Sequence, residues 1–148
     1  MNNSEQAIEL FFNQYEKRFN DALEGNLEID EIASCFAECF VQAHPNGTVC
    51  GSNNEEFKKL IPQGYDFYRK IGVTAMKITS KETTSLDSLH CMAKLKWKML
   101  YRKVDELSGA IEFEVIYFLQ KSASGYKIFS YITGDEEAVL RQHDLIQA

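Results

Sequence analysis

The spacing of apolar residues changes at Gly72. Before it, apolar side chains recur every three or four residues; after it, they recur every two. The first period belongs to helices and the second to strands. Helices gathered mainly before that point and strands mainly after it are segregated rather than alternating, so the expected class is α+β rather than α/β.

The early period predicts a helix over about residues 4–23, with Ile8, Phe11, Phe12, Tyr15, Phe19, Ala22 and Leu23 on one face. Asn3 or Ser4 can cap its start, and Gly25-Asn26 ends it. A second helix is expected over residues 28–36, turning Leu27, Ile32, Ala33 and Phe36 inward. Residues 39–43 read as a short strand closed by a turn at Pro45-Asn46-Gly47. A third helix opens at Gly51-Ser52, where Ser52 and Glu55 fit a capping box. Its stripe is Phe57, Leu60, Ile61, Tyr65 and Tyr68, and Pro62 with Gly64 should kink or split it.

The later period predicts four strands in an antiparallel meander, over residues 73–84, 89–104, 110–120 and 126–133. Asp105-Glu106-Leu107-Ser108-Gly109 is the expected hairpin loop, and Thr133 with Glu136 caps a final helix of about ten residues. Setting Tyr101 opposite Phe113 places Met99 opposite Val115 and Trp97 opposite Tyr117. That makes one large apolar face for the helices. Lys94, Lys96, Lys98, Arg102, Glu112 and Glu114 fall on the other face, where His90 is also expected. Leu100, Ile116 and Phe118 stand among those charges and suggest a contact surface.

Sixteen Lys and Arg against 22 Asp and Glu give a net charge of −6. An acidic surface argues against nucleic acid or an anionic membrane as a partner. No run of 18 apolar residues is present, and Met1 to Gln6 lacks the features of a signal peptide, so a cytoplasmic location is expected. Cys35, Cys39, Cys50 and Cys91 are then free thiols. Cys35, Cys39, His44 and Cys50 can be drawn as a zinc set, but no CxxC or CxxH knuckle is present. Small buried hydrophobes are the preferred reading of the cysteines, with no metal or cofactor expected.

Several local patterns combine along the chain. They are Phe12-x-x-Tyr15 with Phe19, Phe36-Ala37-Glu38-Cys39-Phe40, His44-Pro45-Asn46-Gly47 with Gly51, Glu56-Phe57, Gly125-Tyr126-Lys127-Ile128 and Gly134-Asp135. In this order and spacing, over nearly the whole chain, the sequence resembles the nuclear transport factor 2-like superfamily. That group includes SnoaL-like polyketide cyclases, ketosteroid isomerases and many small binding proteins. The resemblance implies one domain over residues 1–148: a cone-shaped, curved antiparallel sheet wrapped around three helices, with a short C-terminal helix. It also implies an apolar pocket at the open end and a homodimer through the outer sheet face, where Leu100, Ile116 and Phe118 stand.

The same resemblance nominates chemistry. His44 occupies the place before a proline where the isomerases hold their general base, and Tyr15 stands near their oxyanion-binding tyrosine. Their second, acidic donor has no match, because the inward residues of that strand are Phe113, Val115, Tyr117 and Leu119. Only Tyr117 can donate there. The Asp–Arg–Asp set of the related epoxide hydrolases is also missing from the inward positions. Phe12, Tyr15 and Phe19 are expected to wall the pocket from the first helix, with Phe40, Phe57, Tyr65 and Tyr68 behind them. The long hairpin would add Trp97, Met99, Tyr101, Phe113, Val115 and Tyr117. This suits a small apolar or aromatic ligand, though a plain core has the same composition. Three readings follow, in order: a binding module, an enzyme with His44 as base and Tyr15 or Tyr117 as donor, and a scaffold acting through the outer sheet.

Overall fold

A computed structural model describes residues 3–105 and 107–146. The order is α1 (Asn3–Leu23), α2 (Ile29–Ala33), β1 (Phe36–His44), β2 (Gly47–Ser52), α3 (Glu55–Lys70), β3 (Val73–Ser85), β4 (His90–Arg102), β5 (Ser108–Ser122), β6 (Gly125–Thr133) and α4 (Glu136–Gln142). The strands form one six-stranded sheet in the order β2-β1-β6-β5-β4-β3. β3 to β6 make the expected antiparallel meander. The sheet is mixed, because β1 joins β6 in parallel while β2 folds back on β1. Register shifts interrupt β3, β1 and the β5–β6 pairing. Such bulges bend long strands, and here they curve the sheet around α1.

The core lies between α1, α3 and the inner face of the sheet. Phe12, Leu95, Leu119 and Ile128 are fully buried in it. α1 is also tied to β3 by polar contacts. Asn20 accepts from the Met76 N–H at 2.8 Å and donates to its carbonyl at 2.7 Å. Glu16 accepts from the Ile78 N–H at 2.5 Å. No helix of the described residues is long and apolar enough to cross a membrane.

Several local expectations need correction. The cap of α1 was expected at Asn3 or Ser4; Ser4 lies inside the helix, and the side chain of Asn3 lies outside the described residues. α2 stops at Ala33, because Phe36 already pairs with β6. The chain 47–52 is a strand, so α3 starts later, with Asn54 rather than Ser52 as its cap; the Asn54 side chain accepts from Phe57 N–H at 3.0 Å. α3 runs unbroken through Pro62. A proline inside a helix costs about 3 kcal/mol, and here the packing of Ile61, Tyr65 and Tyr68 outweighs it. Leu60, expected on that stripe, is exposed instead. α4 has seven residues, not ten, and its cap is Asp135 rather than Thr133.

The β4–β5 pairing is also displaced. Tyr101 faces Gly109, Met99 faces Ile111, Trp97 faces Phe113 and Ala93 faces Tyr117. The turn centres on Asp105, whose carboxylate accepts the Leu107 N–H at 3.2 Å; Glu106, in the expected loop, lies outside the described residues. Ser108 and Gly109, expected in the loop, therefore belong to the strand. The slip is an even number of residues, so every side chain keeps its face.

Candidate functional site

A cavity of about 370 Å³ opens at one end of the sheet. Each wall follows from a local period. On β1, Phe40 is buried, and stepping by two from it turns Gln42 and His44 toward the cavity. On α1, Tyr15 and Phe19 lie one turn apart on the same stripe. Trp97 from β4 and Phe113, Val115 and Tyr117 from β5 supply the floor. Phe36, Met76, Tyr131 and Thr133 add further wall, with Tyr68 from α3. Asn46 and the segment Gly134 to Glu137 border the mouth.

Seven of the expected lining residues are brought together here: Tyr15, Phe19, Tyr68, Trp97, Phe113, Val115 and Tyr117. Six others serve the core instead. Phe12 is wholly buried behind Tyr117, with ring centroids 5.3 Å apart. Phe40 and Phe57 pack edge-to-face with centroids 4.9 Å apart and fasten α3 to the β1–β2 hairpin. Tyr65 packs edge-on against Phe19 from behind, at 5.0 Å. Met99 lies against α4 beside Ile111 and Val139. Tyr101 lies over Gly109, where a Cβ would come within 2.3 Å of its hydroxyl.

The polar groups of the cavity are held in defined states. Trp97 donates its indole N–H to the Tyr117 hydroxyl at 3.1 Å. Burial pushes the hydroxyls of Tyr15, Tyr117 and Tyr131 well above the ordinary tyrosine range, so all three stay neutral near pH 7. Tyr68 is raised by burial and then by Glu136, to which its hydroxyl donates at 2.6 Å. His44 Nδ1 accepts the Asn46 backbone N–H at 3.2 Å. In neutral His44 this puts the ring proton on Nε2, which makes that nitrogen a donor.

Asp135, Glu136 and Glu137 had not been expected near the cavity. They are not strand residues, so the period-two reading could not place them. The signal present in the sequence was an acidic first turn directly after the last strand. Elsewhere, Cys35 and Cys91 are buried, whereas Cys39 and Cys50, expected to be buried, are exposed on the β1–β2 hairpin. Both point to the side opposite Phe40, where no helix covers them. No group of three or more potential metal ligands occurs among the described residues. His90 stands away from the cavity, bonded through Nδ1 to Asp87 at 2.8 Å.

Solved structures share this architecture at low identity. An NTF2-like protein with a cystatin-like fold from Novosphingobium aromaticivorans superposes with a TM-score of 0.68 at 10% identity, covering 98% of this chain and 90% of that one. A ketosteroid isomerase-like protein from Erwinia carotovora atroseptica gives 0.64 at 17% identity, covering 90% and 97%. The beta subunit of benzoate 1,2-dioxygenase from Burkholderia mallei gives 0.64 at 15% identity, covering 90% and 91%. No curated protein sequence matches the chain. The family described as NTF2-like protein (DUF6841) matches residues 4–136, and with the curved sheet and helices in place the chain belongs to that family.

Proposed function

We propose that the protein binds a small molecule with an apolar or aromatic body in the cavity beside Trp97, without transforming it. The observation that carries this reading is a cavity of about 370 Å³ with aromatic walls and a few polar tips. This is within the usual size range of small-molecule sites, about 300–1,000 Å³. The polar tips favour holding over chemistry. A general base needs a free lone pair facing its substrate. The lone pair of His44 Nδ1 is taken by the Asn46 N–H, and the tyrosines are neutral donors. An isomerase- or cyclase-type reaction with His44 as base would require the ring to break that bond and turn over.

The chain has a single tryptophan, so one indole N–H cross-peak in a ¹H–¹⁵N spectrum reports on the cavity floor. Titration with benzyl alcohol or p-cresol is expected to shift the Trp97 peak saturably. An unmoved peak at millimolar concentrations of both would sink the reading.

We also propose that two copies pair through the outer sheet face. Leu100, Ile116, Phe118 and the 40%-exposed Ile132 lie there without a covering helix. A lysine row on β4 runs beside Glu112 and Glu114 on β5, and Lys94 reaches Glu114 at 3.6 Å. A two-fold axis would set the lysines of one copy against the glutamates of the other, which supports a second copy as the occupant. Sedimentation should show a dimer for the wild type and a monomer for Phe118→Glu. A wild type that sediments as a monomer at tens of micromolar would refute the pairing.

A further inference from the structure

The mouth of the cavity is acidic. Asp135, Glu136 and Glu137 border it, and no lysine or arginine does among the described residues. Asp135 accepts the Ala138 N–H at 3.0 Å, and Glu136 accepts the Tyr68 hydroxyl at 2.6 Å. Both partners are uncharged, so neither contact sets a cation against the carboxylate. Glu137 alone of the three faces a cation, Arg141 at 3.2 Å.

Below the mouth the aromatic wall closes on itself. Tyr15, Phe36, Tyr131 and Tyr117 form a loop of neighbouring rings, with successive centroids 6.5, 6.2, 6.2 and 6.1 Å apart. Trp97 joins that loop 6.1 Å from Tyr15. Aromatic faces are negative in their quadrupole and attract a cation within about 6 Å of the centroid. An anionic ligand would meet two carboxylates at the mouth and no lysine or arginine. A neutral ligand would leave the negative rim without a counterpart. A cation meets the rim with its charge and the rings with its body.

We propose, on the basis of the ligand-binding reading above, that the ligand class is a small organic cation: an amine or quaternary ammonium carried on an apolar or aromatic body. Its charged head lies between the ring loop and the carboxylates of Asp135 and Glu136.

The Trp97 indole cross-peak tests this with three probes of similar body and different charge: benzyltrimethylammonium, benzyl alcohol and phenylacetate. Benzyltrimethylammonium is expected to saturate the shift at a concentration at least tenfold below that of benzyl alcohol, and phenylacetate to leave the peak unmoved. The double variant Asp135→Asn, Glu136→Gln keeps an acceptor for the Ala138 N–H and for the Tyr68 hydroxyl while removing both charges. It should lose most of the cation's advantage and bind benzyl alcohol as the wild type does, with an unchanged melting temperature as the check on folding. Phenylacetate binding as tightly as the cation overturns the charge assignment, as does a cation no tighter than benzyl alcohol. A double variant that keeps the full tenfold preference does the same. In each of those cases the binding reading stands. A peak that none of the three probes moves overturns both.

Discussion

Truncating Trp97 to alanine is expected to destabilise the fold by about 3–5 kcal/mol, the usual range for a buried large aromatic. The indole is 1% exposed and lies 6.1 Å from the Tyr15 ring and 6.0 Å from Phe19. It pairs across the sheet with Ile78 on one side and Phe113 on the other. Two effects add. The apolar contacts are lost to a void that the flanking strands cannot close, because their ladders fix the spacing. The Tyr117 hydroxyl also loses the donor that reaches it at 3.1 Å. Urea unfolding followed by circular dichroism measures the loss. A loss below about 1 kcal/mol would show that the indole borders open space on most of its surface, against the burial described above.

Gly72→Ala is expected to cost about 3 kcal/mol or more, and Gly25→Ala only about 1–2. The two glycines have nearly the same backbone, with φ of +98° and +100°. A side chain at either position carries the strain of the left-handed region. They differ in what surrounds them. A Cβ at Gly25 meets nothing within 4 Å, whereas a Cβ at Gly72 falls 2.3 Å from the Arg102 carbonyl oxygen. That carbonyl belongs to backbone rather than to a movable side chain, and Arg102 N–H already donates to the Gly72 carbonyl at 2.8 Å. The pair of substitutions therefore separates strain from collision. Thermal or urea melts of both variants test it, and equal losses would show that the end of β4 yields to the added methyl group.

The faces of the elements were legible in the sequence, and the positions along those faces were not. Period two placed Trp97, Phe113, Val115 and Tyr117 on the inner side even though the expected register was wrong, because a slip of even length preserves alternation. Depth along the inner side depends on where the cone is open, which is a property of the whole sheet. Met99 is two residues from Trp97 and Phe40 two from Gln42, yet neither Met99 nor Phe40 borders the cavity. Side-chain competition settled other details. Asn54 and Asp135 took the helix caps from Ser52 and Thr133, and Asp105 drew the turn away from Gly109. The acidic mouth was hidden for a similar reason. Only the path of β6 across the sheet, antiparallel to β5 and parallel to β1, delivers Asp135 to the end where His44 also arrives.

The contacts of Asn20 and Glu16 with β3 have a consequence for assembly. β3 is the last strand on its side of the sheet, and the outermost strand of any sheet offers unpaired N–H and C=O groups to a passing chain. Here the N–H groups of Met76 and Ile78 and the Met76 carbonyl are already occupied by side chains of α1. The helix does the work of a further strand without offering an outer row of its own. Growth strand by strand into a fibre is blocked along that stretch.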